Sequence, residues 1–191
     1  MLSHFRDAFP SIHTELSEKL SIDLEHLLIK DELDIGVVHP PLAHQELDVH
    51  YLDESPLLLA IPSHWPQAKQ PSIGLSECKN LPFILPPRHI GSTFYDGIIA
   101  ACNNAGFTPE VAQEAAPMST VIGLVSSGVG AGFVTTNFSV IQRPGVTFLK
   151  ITNRLPTLTT LLAWKKGSTN PMVQHFINTL SSREQAKIVK M

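Results

Sequence analysis

Met118-Ser-Thr-Val-Ile-Gly-Leu-Val-Ser-Ser-Gly-Val-Gly-Ala-Gly-Phe-Val-Thr135 is the stretch of sequence that decides the fold. Its first half predicts a short helix, because Ser119 can cap the N-terminus and the apolar residues after it recur at helical spacing. Gly128 stands where a helix commonly ends on a left-handed residue, a conformation that suits glycine. Residues 131–134 are continuously apolar, as buried parallel strands tend to be. The stretch therefore predicts a helix that turns back directly into a buried strand.

The glycines of this stretch, Gly128, Gly130 and Gly132, also suggest a nucleotide-binding loop. That fingerprint requires a strand before the glycines and a helix after them, and the predicted order here is the reverse. We therefore interpret the glycines as residues that let the helix pack tightly beside its own strand. Thr135 then lies at the carboxyl end of the strand, where ligands bind in open α/β sheets.

Composition narrows the class of protein. With 191 residues, 43% of them hydrophobic, the chain can bury one or two ordinary cores. Its net charge of −3 and the absence of Lys or Arg runs do not indicate a nucleic-acid or membrane surface. No apolar stretch approaches the ~18 residues of a membrane span, and two cysteines, Cys78 and Cys102, are too few for a disulfide framework. We expect a cytoplasmic protein with reduced thiols, no membrane partner and no cofactor.

The rest of the chain alternates between helical and extended patterns, which predicts an α/β fold. Further helices are predicted at residues 1–9, 21–30, 94–105 and 171–180. Further strands are predicted at residues 12–20, 34–38, 47–52, 56–61, 81–85, 110–115, 146–151 and 158–165. The β-α-β order near the N-terminus predicts a parallel sheet with a right-handed crossover.

Two proline-containing segments, 62–72 and 151–156, suggest where the chain passes between two lobes. Residues 1–66 and 156–191 would then form the first lobe, and residues 67–155 an inserted second lobe. The β-rich segment 158–165 is expected to pair with the sheet of the first lobe. The predicted architecture is two Rossmann-like α/β lobes with a ligand cleft.

Five segments, in this order and spacing, resemble the effector-binding domain of LysR-type transcriptional regulators. They are Phe5-Arg-Asp-Ala-Phe-Pro10, Leu33-Asp-Ile-Gly-Val-Val38, Ser55-Pro-Leu-Leu-Leu-Ala-Ile-Pro62, Cys102-Asn-Asn-Ala-Gly-Phe-Thr-Pro109 and Leu124-Val-Ser-Ser-Gly-Val-Gly-Ala-Gly-Phe-Val134. The resemblance runs from residue 1 to about residue 180 and implies the type 2 periplasmic-binding fold. It also implies a small-molecule effector held between the lobes and a homodimer. The second lobe looks most like regulators that sense aromatic acids or muconate.

Two parts of the family pattern have no counterpart in this sequence. The N-terminal winged helix-turn-helix is absent, so DNA is expected as a partner only through a helix-turn-helix domain outside this chain. The domain's first strand is absent too, together with the Ser or Thr that usually precedes the first helix and helps hold the effector.

The candidate ligand-binding residues lie at helix starts and strand ends. Ser92 and Thr93 open a predicted helix, where unpaired N–H groups and the helix dipole favour an anion, and Ser21 opens another. The alternative is that Ser21 and Ser92 are simply helix caps. The resemblance implies that Ser21 and the Ser92-Thr93-Phe94 turn contact the effector, a small organic carboxylate, a class that includes aromatic acids. The expected ligand-binding residues are Ser21, His39, Gly91, Ser92, Thr93, Phe94 and Thr135.

His39 occupies a position where some relatives carry an Arg that faces an acidic residue, matched here by Glu54. His39, His44 and His50 lie five and six residues apart, which fits no compact metal motif. A hydrolase would need a serine on a strand-to-helix elbow, and the sequence has no Gly-x-Ser-x-Gly.

The carboxylates of segment 31–34 are interpreted as a charged turn rather than as catalytic groups. The sequence thus predicts the sensor domain of a LysR-type regulator and not an enzyme. A transport-type solute receptor and an enzyme of the same fold are the alternatives, because fold alone does not separate them.

Overall fold

The computed structural model describes residues 2–188, with side chains described up to residue 180. Its helices are α1 (Leu2–Ala8), α2 (Ser21–Ile29), α3 (Ser92–Asn104), α4 (Met118–Ser126) and α5 (Pro171–Ile188). Its strands are β1 (Gly36–Val38), β2 (Leu47–Ser55), β3 (Leu57–Pro62), β4 (Ser72–Ile73), β5 (Pro82–Leu85), β6 (Glu110–Glu114), β7 (Ala131–Thr135), β8 (Val146–Ile151) and β9 (Leu158–Lys165). Within residues 2–188, none of the helices is both long and apolar enough to cross a membrane.

The chain divides into two compact units whose boundaries differ from the expected ones. The first unit contains the residues up to Val38, Leu42–His50 and the residues from Leu161 onward, and the second contains His39–Pro41 and Tyr51–Thr160. The chain passes between the units on either side of His39–Pro41 and again inside β2 and β9, whereas we expected it to pass through segments 62–72 and 151–156. Prolines mark turns, and both of these segments lie within the second unit.

The first unit contains the sheet with the order β1-β9-β2. Leu24 and Leu28 of α2 pack into a cluster with Val38, Leu47 and Ala163. β1 pairs with β9 in the antiparallel sense, so the expectation of a parallel sheet here is wrong. The expectation that segment 158–165 pairs with a strand of the first unit is confirmed.

Residues 12–20 were predicted as a strand, and that prediction is wrong, since no residue of this segment is in a strand. The prediction came from the loose alternation of Ile12, Thr14 and Leu16, yet Leu16 is 71% exposed. A strand forms only where a neighbouring strand completes its hydrogen bonds. Within the described residues this segment has no such neighbour, and Thr14 instead accepts a hydrogen bond from Arg6 Nε at 2.8 Å.

The second unit is built on a six-stranded mixed sheet with the order β4-β8-β3-β7-β5-β6. β3 lies in its middle and pairs with β7 and β8, both antiparallel. The expectation that residues 56–61 belong to the sheet of the first lobe is therefore wrong. The run Leu57-Leu-Leu-Ala-Ile-Pro62 is apolar throughout and is buried except for the partly buried Leu58, as expected of a central strand covered on both faces.

Both faces of this sheet carry an apolar core. On one face Phe83 stacks on Phe133, with ring centroids 5.7 Å apart, and Ile98 and Cys102 of α3 pack beside them. On the other face α4 packs its buried residues Val121, Ile122 and Val125 against the sheet. The predicted α4–β7 unit is confirmed, although the residue before α4 is Pro117 and Ser119 is not its cap.

Gly128 and Gly130, between α4 and β7, and Gly132, within β7, each have a packing or conformational reason. Gly128 has a φ of +82°, the left-handed conformation predicted for it. A Cβ added at Gly130 would lie 2.7 Å from the carbonyl oxygen of Pro82, and one at Gly132 would lie 2.4 Å from Cγ1 of Val121. The glycine run thus allows β7 to lie directly against β5 and α4, as the helix-turn-strand interpretation requires.

Candidate functional site

One edge of the six-stranded sheet collects several of the predicted site residues. β5 pairs in parallel with both β6 and β7, so the carboxyl ends of the three strands lie at the same edge. α3 begins a short distance after β5, α4 begins after β6, and Thr135 is the last residue of β7. Ligands of α/β proteins bind at such an edge, which makes the residues there the candidate site.

The first turn of α3 carries polar groups that nothing in the described chain uses. Gly91 is the residue before the helix, and the helix has no side-chain cap. The first helical hydrogen bond runs from Tyr95 N to Gly91 O at 2.9 Å. Within residues 2–188, the N–H groups and hydroxyls of Ser92 and Thr93 and the N–H group of Phe94 have no hydrogen-bond partner. Ser92 is the first residue of the helix and Gly91 is its N-cap, so the interpretation of Ser92 as the helix cap is wrong.

The other features of this turn favour an anion. The N-terminus of a helix carries partial positive charge, and its free N–H groups point along the axis away from the helix. Thr93 is exposed, and Phe94 is partly buried against the apolar cluster around Phe83. The turn therefore offers several hydrogen-bond donors next to an aromatic side chain.

An ion pair that the sequence analysis missed spans this turn. Arg88 donates from Nε to Asp96 Oδ1 at 2.8 Å and from Nη2 to Asp96 Oδ2 at 2.7 Å. Hydrogen bonding to Arg88 holds the pKa of the Asp96 carboxyl below its usual value, and Asp96 raises the pKa of Arg88. The spacing of eight residues across a predicted turn is the signal that could have suggested the pair.

Thr135 is almost fully buried, with 5% of its surface exposed. Its hydroxyl donates to Met118 Sδ at 3.6 Å, and a thioether is a weak acceptor. Two residues further on, the Nδ2 of Asn137 donates to Asp53 Oδ2 at 2.8 Å and to Ser55 Oγ at 2.7 Å. These hydrogen bonds fasten the segment after β7 to the end of strand β2.

The remaining predicted residues, Ser21 and His39, lie elsewhere in the chain. Ser21 is the first residue of α2 in the first unit, and Leu20 rather than Ser21 occupies the N-cap position of this helix. His39 follows β1, and its Nδ1 lies 2.9 Å from the carbonyl oxygen of Thr159. A carbonyl oxygen only accepts, so Nδ1 of His39 is the donor in this hydrogen bond. Glu54, expected to face His39, accepts a hydrogen bond from the hydroxyl of Thr157.

Two of the carboxylates considered for catalysis, Asp31 and Asp34, have ordinary partners. Asp31 forms an ion pair with Lys165, and Asp34 accepts a hydrogen bond from Asn170 Nδ2 at 2.9 Å. These side chains line a small polar cavity of about 210 Å³. Among the described residues, no three His, Cys, Asp or Glu side chains are grouped in a way that could hold a metal ion.

The structure thus brings Gly91, Ser92, Thr93 and Phe94 together in one turn and places Thr135 at the same edge of the sheet. Sequence reasoning also missed Glu25, a carboxylate of α2 that is only 2% exposed. Its Oε2 accepts hydrogen bonds from the backbone N–H groups of Ala43 at 2.7 Å and His44 at 3.1 Å. Helical periodicity places a residue on the buried side, but it does not show which distant N–H groups the residue will meet.

Comparisons with known proteins agree on one family. Residues 1–185 match the family model described as the LysR substrate binding domain. The HTH-type transcriptional regulator AlsR of Bacillus subtilis is 33% identical over 187 residues, which cover 98% of this chain and 62% of AlsR. The regulator TtuA of Agrobacterium vitis is 32% identical over 90% of this chain and 58% of its own length. The chain therefore spans about three fifths of the length of these relatives.

Solved structures show the same fold. The LysR family transcriptional regulator CbnR superimposes with a TM-score of 0.79 at 18% identity, over 93% of this chain and 61% of its own. The BenM effector binding domain, solved with its effector benzoate, gives a TM-score of 0.75 at 17% identity, over 96% of this chain and 85% of its own. At these identities the likeness establishes the fold: two α/β parts of the type 2 periplasmic-binding kind.

Proposed function

The chain belongs to the LysR substrate binding domain family, and from that membership we propose that it senses a small organic carboxylate through the first turn of α3. The observation that carries this site is the set of unused donors there: three N–H groups and two hydroxyls without a partner within residues 2–188. A carboxylate has two oxygens that each accept more than one hydrogen bond, so it matches this set. The helix dipole adds a favourable charge interaction without a full counter-charge.

The surroundings of the turn support an acid with an apolar body. Phe94 adjoins the donors and packs on the cluster around Phe83, so an aromatic ring can lie against it while the carboxylate meets the helix start. BenM was solved with benzoate as its effector. We therefore propose that this chain binds a small organic carboxylate, a class that includes aromatic acids. Ser21, His39 and Thr135 stay predicted ligand contacts.

The whole regulator is a wider proposal than its sensor domain. The named relatives are HTH-type transcriptional regulators, which are not enzymes, and CbnR was solved in complex with its target DNA. We propose that this sensor acts in the same kind of cytoplasmic regulator, as a homodimer whose DNA contacts lie in a helix-turn-helix domain. Binding of the effector would then shift the equilibrium between conformations of the regulator.

Calorimetric titration with benzoate and with small dicarboxylates tests the proposed site. The wild-type chain should bind at least one of these acids. Thr93→Ala removes one hydroxyl donor and should weaken binding about tenfold, which corresponds to the loss of ~1.4 kcal/mol. Thr93→Asp sets a carboxylate beside that of the ligand and should weaken binding much more, through like-charge repulsion. Thr108→Asp, at an exposed threonine beyond the far end of α3, is the matched control and should bind as wild type does. If Thr93→Asp binds as tightly as wild type, the carboxylate does not sit at this helix start.

A further inference from the structure

The ion pair between Arg88 and Asp96 encloses the turn that carries the proposed site. We propose that the pair is a positioning device for this site: it holds the start of α3 in place and neutralises the negative charge of Asp96 beside the bound acid. Arg88 and Asp96 are thus positioning residues, acting on the effector through the turn between them. This inference rests on the proposed function, which supplies the ligand.

The geometry of the pair is suited to fixing the turn. Both carboxylate oxygens of Asp96 accept from the guanidinium, at 2.8 and 2.7 Å, so the two planar groups meet through two parallel bonds. Such a fork fixes relative orientation as well as distance. Arg88 begins the 3₁₀ turn Arg88–Ile90, and Asp96 is the fifth residue of α3. The pair therefore ties the approach to the helix to its second turn.

The turn has little else to hold it. Within residues 2–188 the bonds between Arg88 and Asp96 are the only side-chain hydrogen bonds made by residues 88–96. Gly91 joins the 3₁₀ turn to the helix with a φ of −162° and a ψ of 69°, and it has no side chain to pack. A Cβ placed there would have a single near neighbour, Cβ of Phe94 at 4.0 Å. An unpaired Arg88 would leave this junction held by its backbone and by the apolar packing of Phe94 and Tyr95.

Charge is the second part of the argument. Asp96 lies three residues after Thr93, and residues at that spacing are neighbours on one face of a helix. Helical side chains also lean towards the N-terminus, which brings the Asp96 carboxylate towards the first turn. An uncompensated carboxylate there would repel an anionic effector. Arg88 supplies the compensating charge, so the helix start keeps its attraction for an acid.

Exposure separates this role from a purely structural one. The side chains of Arg88 and Asp96 are 64% and 49% exposed, and solvent screens such pairs so that they add little to global stability. Loss of the pair should therefore alter the local order of the turn and the affinity for the effector, while the urea midpoint of unfolding stays nearly constant.

The test combines calorimetry with hydrogen–deuterium exchange on the 191-residue chain. Arg88→Met should weaken the binding of the acid by about tenfold or more relative to wild type. It removes the ion pair and leaves the negative charge of Asp96 without a compensating positive charge. Asp96→Asn should weaken it less, since it removes the tie but also the repelling charge. The exchanged pair, Arg88→Asp with Asp96→Arg, restores an ion pair between the two positions. Its dissociation constant for the acid should lie within about threefold of the wild-type value. Lys165→Met, which breaks the exposed pair with Asp31 in the other unit, is the matched control and should not change affinity.

Exchange measured without ligand separates this inference from the proposed function. The amide hydrogens of residues 92–96 should be replaced by deuterium faster in Arg88→Met than in wild type. In the double variant Arg88→Asp, Asp96→Arg they should return to the wild-type rate. If wild type binds no acid, the proposed function fails, and the exchange data alone then decide whether the pair orders the turn. If Arg88→Met matches wild type in affinity and in exchange, the inference is overturned. It is also overturned if the exchanged pair binds as weakly as Arg88→Met, because Arg88 would then contact the effector directly.

Discussion

At the scale of single residues, the buried carboxylate of Glu25 makes a sharp prediction about stability. Its Oε2 accepts two backbone N–H groups, from Ala43 and His44, and hydrogen bonds to a charged group contribute about 1.5–3 kcal/mol each. Glu25→Ala removes both bonds and should lower the free energy of unfolding by roughly 3–6 kcal/mol, measured by urea denaturation. Glu32→Ala, at an exposed glutamate just after α2, should change it little. Equal midpoints for the two variants would show that Glu25 does not hold the segment after β1.

The two cysteines give a second prediction at this scale. Cys78 and Cys102 are both fully buried. Burial raises the pKa of Cys78 to about 12, with a contribution from the charge of Glu77, and burial raises the pKa of Cys102 to about 11. The reactive form of a thiol is the thiolate, so Ellman's reagent at pH 8 should leave the native chain unlabelled. Both thiols should react once guanidinium unfolds it. Rapid labelling of the native chain would contradict this environment.

The same pKa values predict the direction of a pH effect. The folded chain favours the neutral thiols, whereas the ordinary pKa of a cysteine is 9.0. The stability that this difference contributes is complete below pH 9 and is lost as the pH rises from 9 towards 11 and 12. The urea midpoint should therefore fall above pH 9, and the fall should be smaller in the double variant Cys78→Ala, Cys102→Ala.

At the scale of elements, the contact of α4 with β7 depends on Gly132. A Cβ there would lie 2.4 Å from Cγ1 of Val121, inside the core. Gly132→Ala should lower the free energy of unfolding by about 1–3 kcal/mol, because the helix must move from the strand or side chains must leave their rotamers. Gly123→Ala is the control within α4, since a Cβ there meets nothing within 4 Å. It should raise stability by about 0.5–1 kcal/mol. Chemical denaturation of both variants checks the opposite signs.

The sequence predicted elements well where the information is local. The order helix, glycine turn and strand at residues 118–135 follows from periodicity and from the left-handed Gly128, and the structure contains it. Strands β8 and β9 also lie where they were predicted, at residues 146–151 and 158–165. The prediction of a strand at residues 12–20 was wrong because alternation of apolar and polar residues does not show whether a neighbouring strand is present to pair with the segment. The sheet position of β3 was missed for the same reason, since pairing depends on residues far away in the chain.

At the scale of the whole molecule, the resemblance identified the fold more securely than the lobe boundaries. Two units are present, yet the chain passes between them inside the continuous strands β2 and β9, which carry no turn signal for a sequence analysis to detect. The candidate site was predicted in part. The assignment of Gly91 to Phe94 to the site follows from the position of a helix start after β5. The ion pair between Arg88 and Asp96 depends on side-chain rotamers, which periodicity does not specify.

The central claim is that the carboxylate of an effector meets the N–H groups at the start of α3. Amide chemical shifts of the ¹⁵N-labelled chain, titrated with the acid that calorimetry selects, test this claim most directly. A hydrogen bond to a carboxylate moves an amide proton downfield, so the amides of Ser92, Thr93 and Phe94 should move downfield and saturate at the calorimetric affinity. The amide of Thr108, beyond the far end of α3, should stay in place. If other amides saturate while those of Ser92, Thr93 and Phe94 do not move, the acid binds elsewhere and the account is wrong.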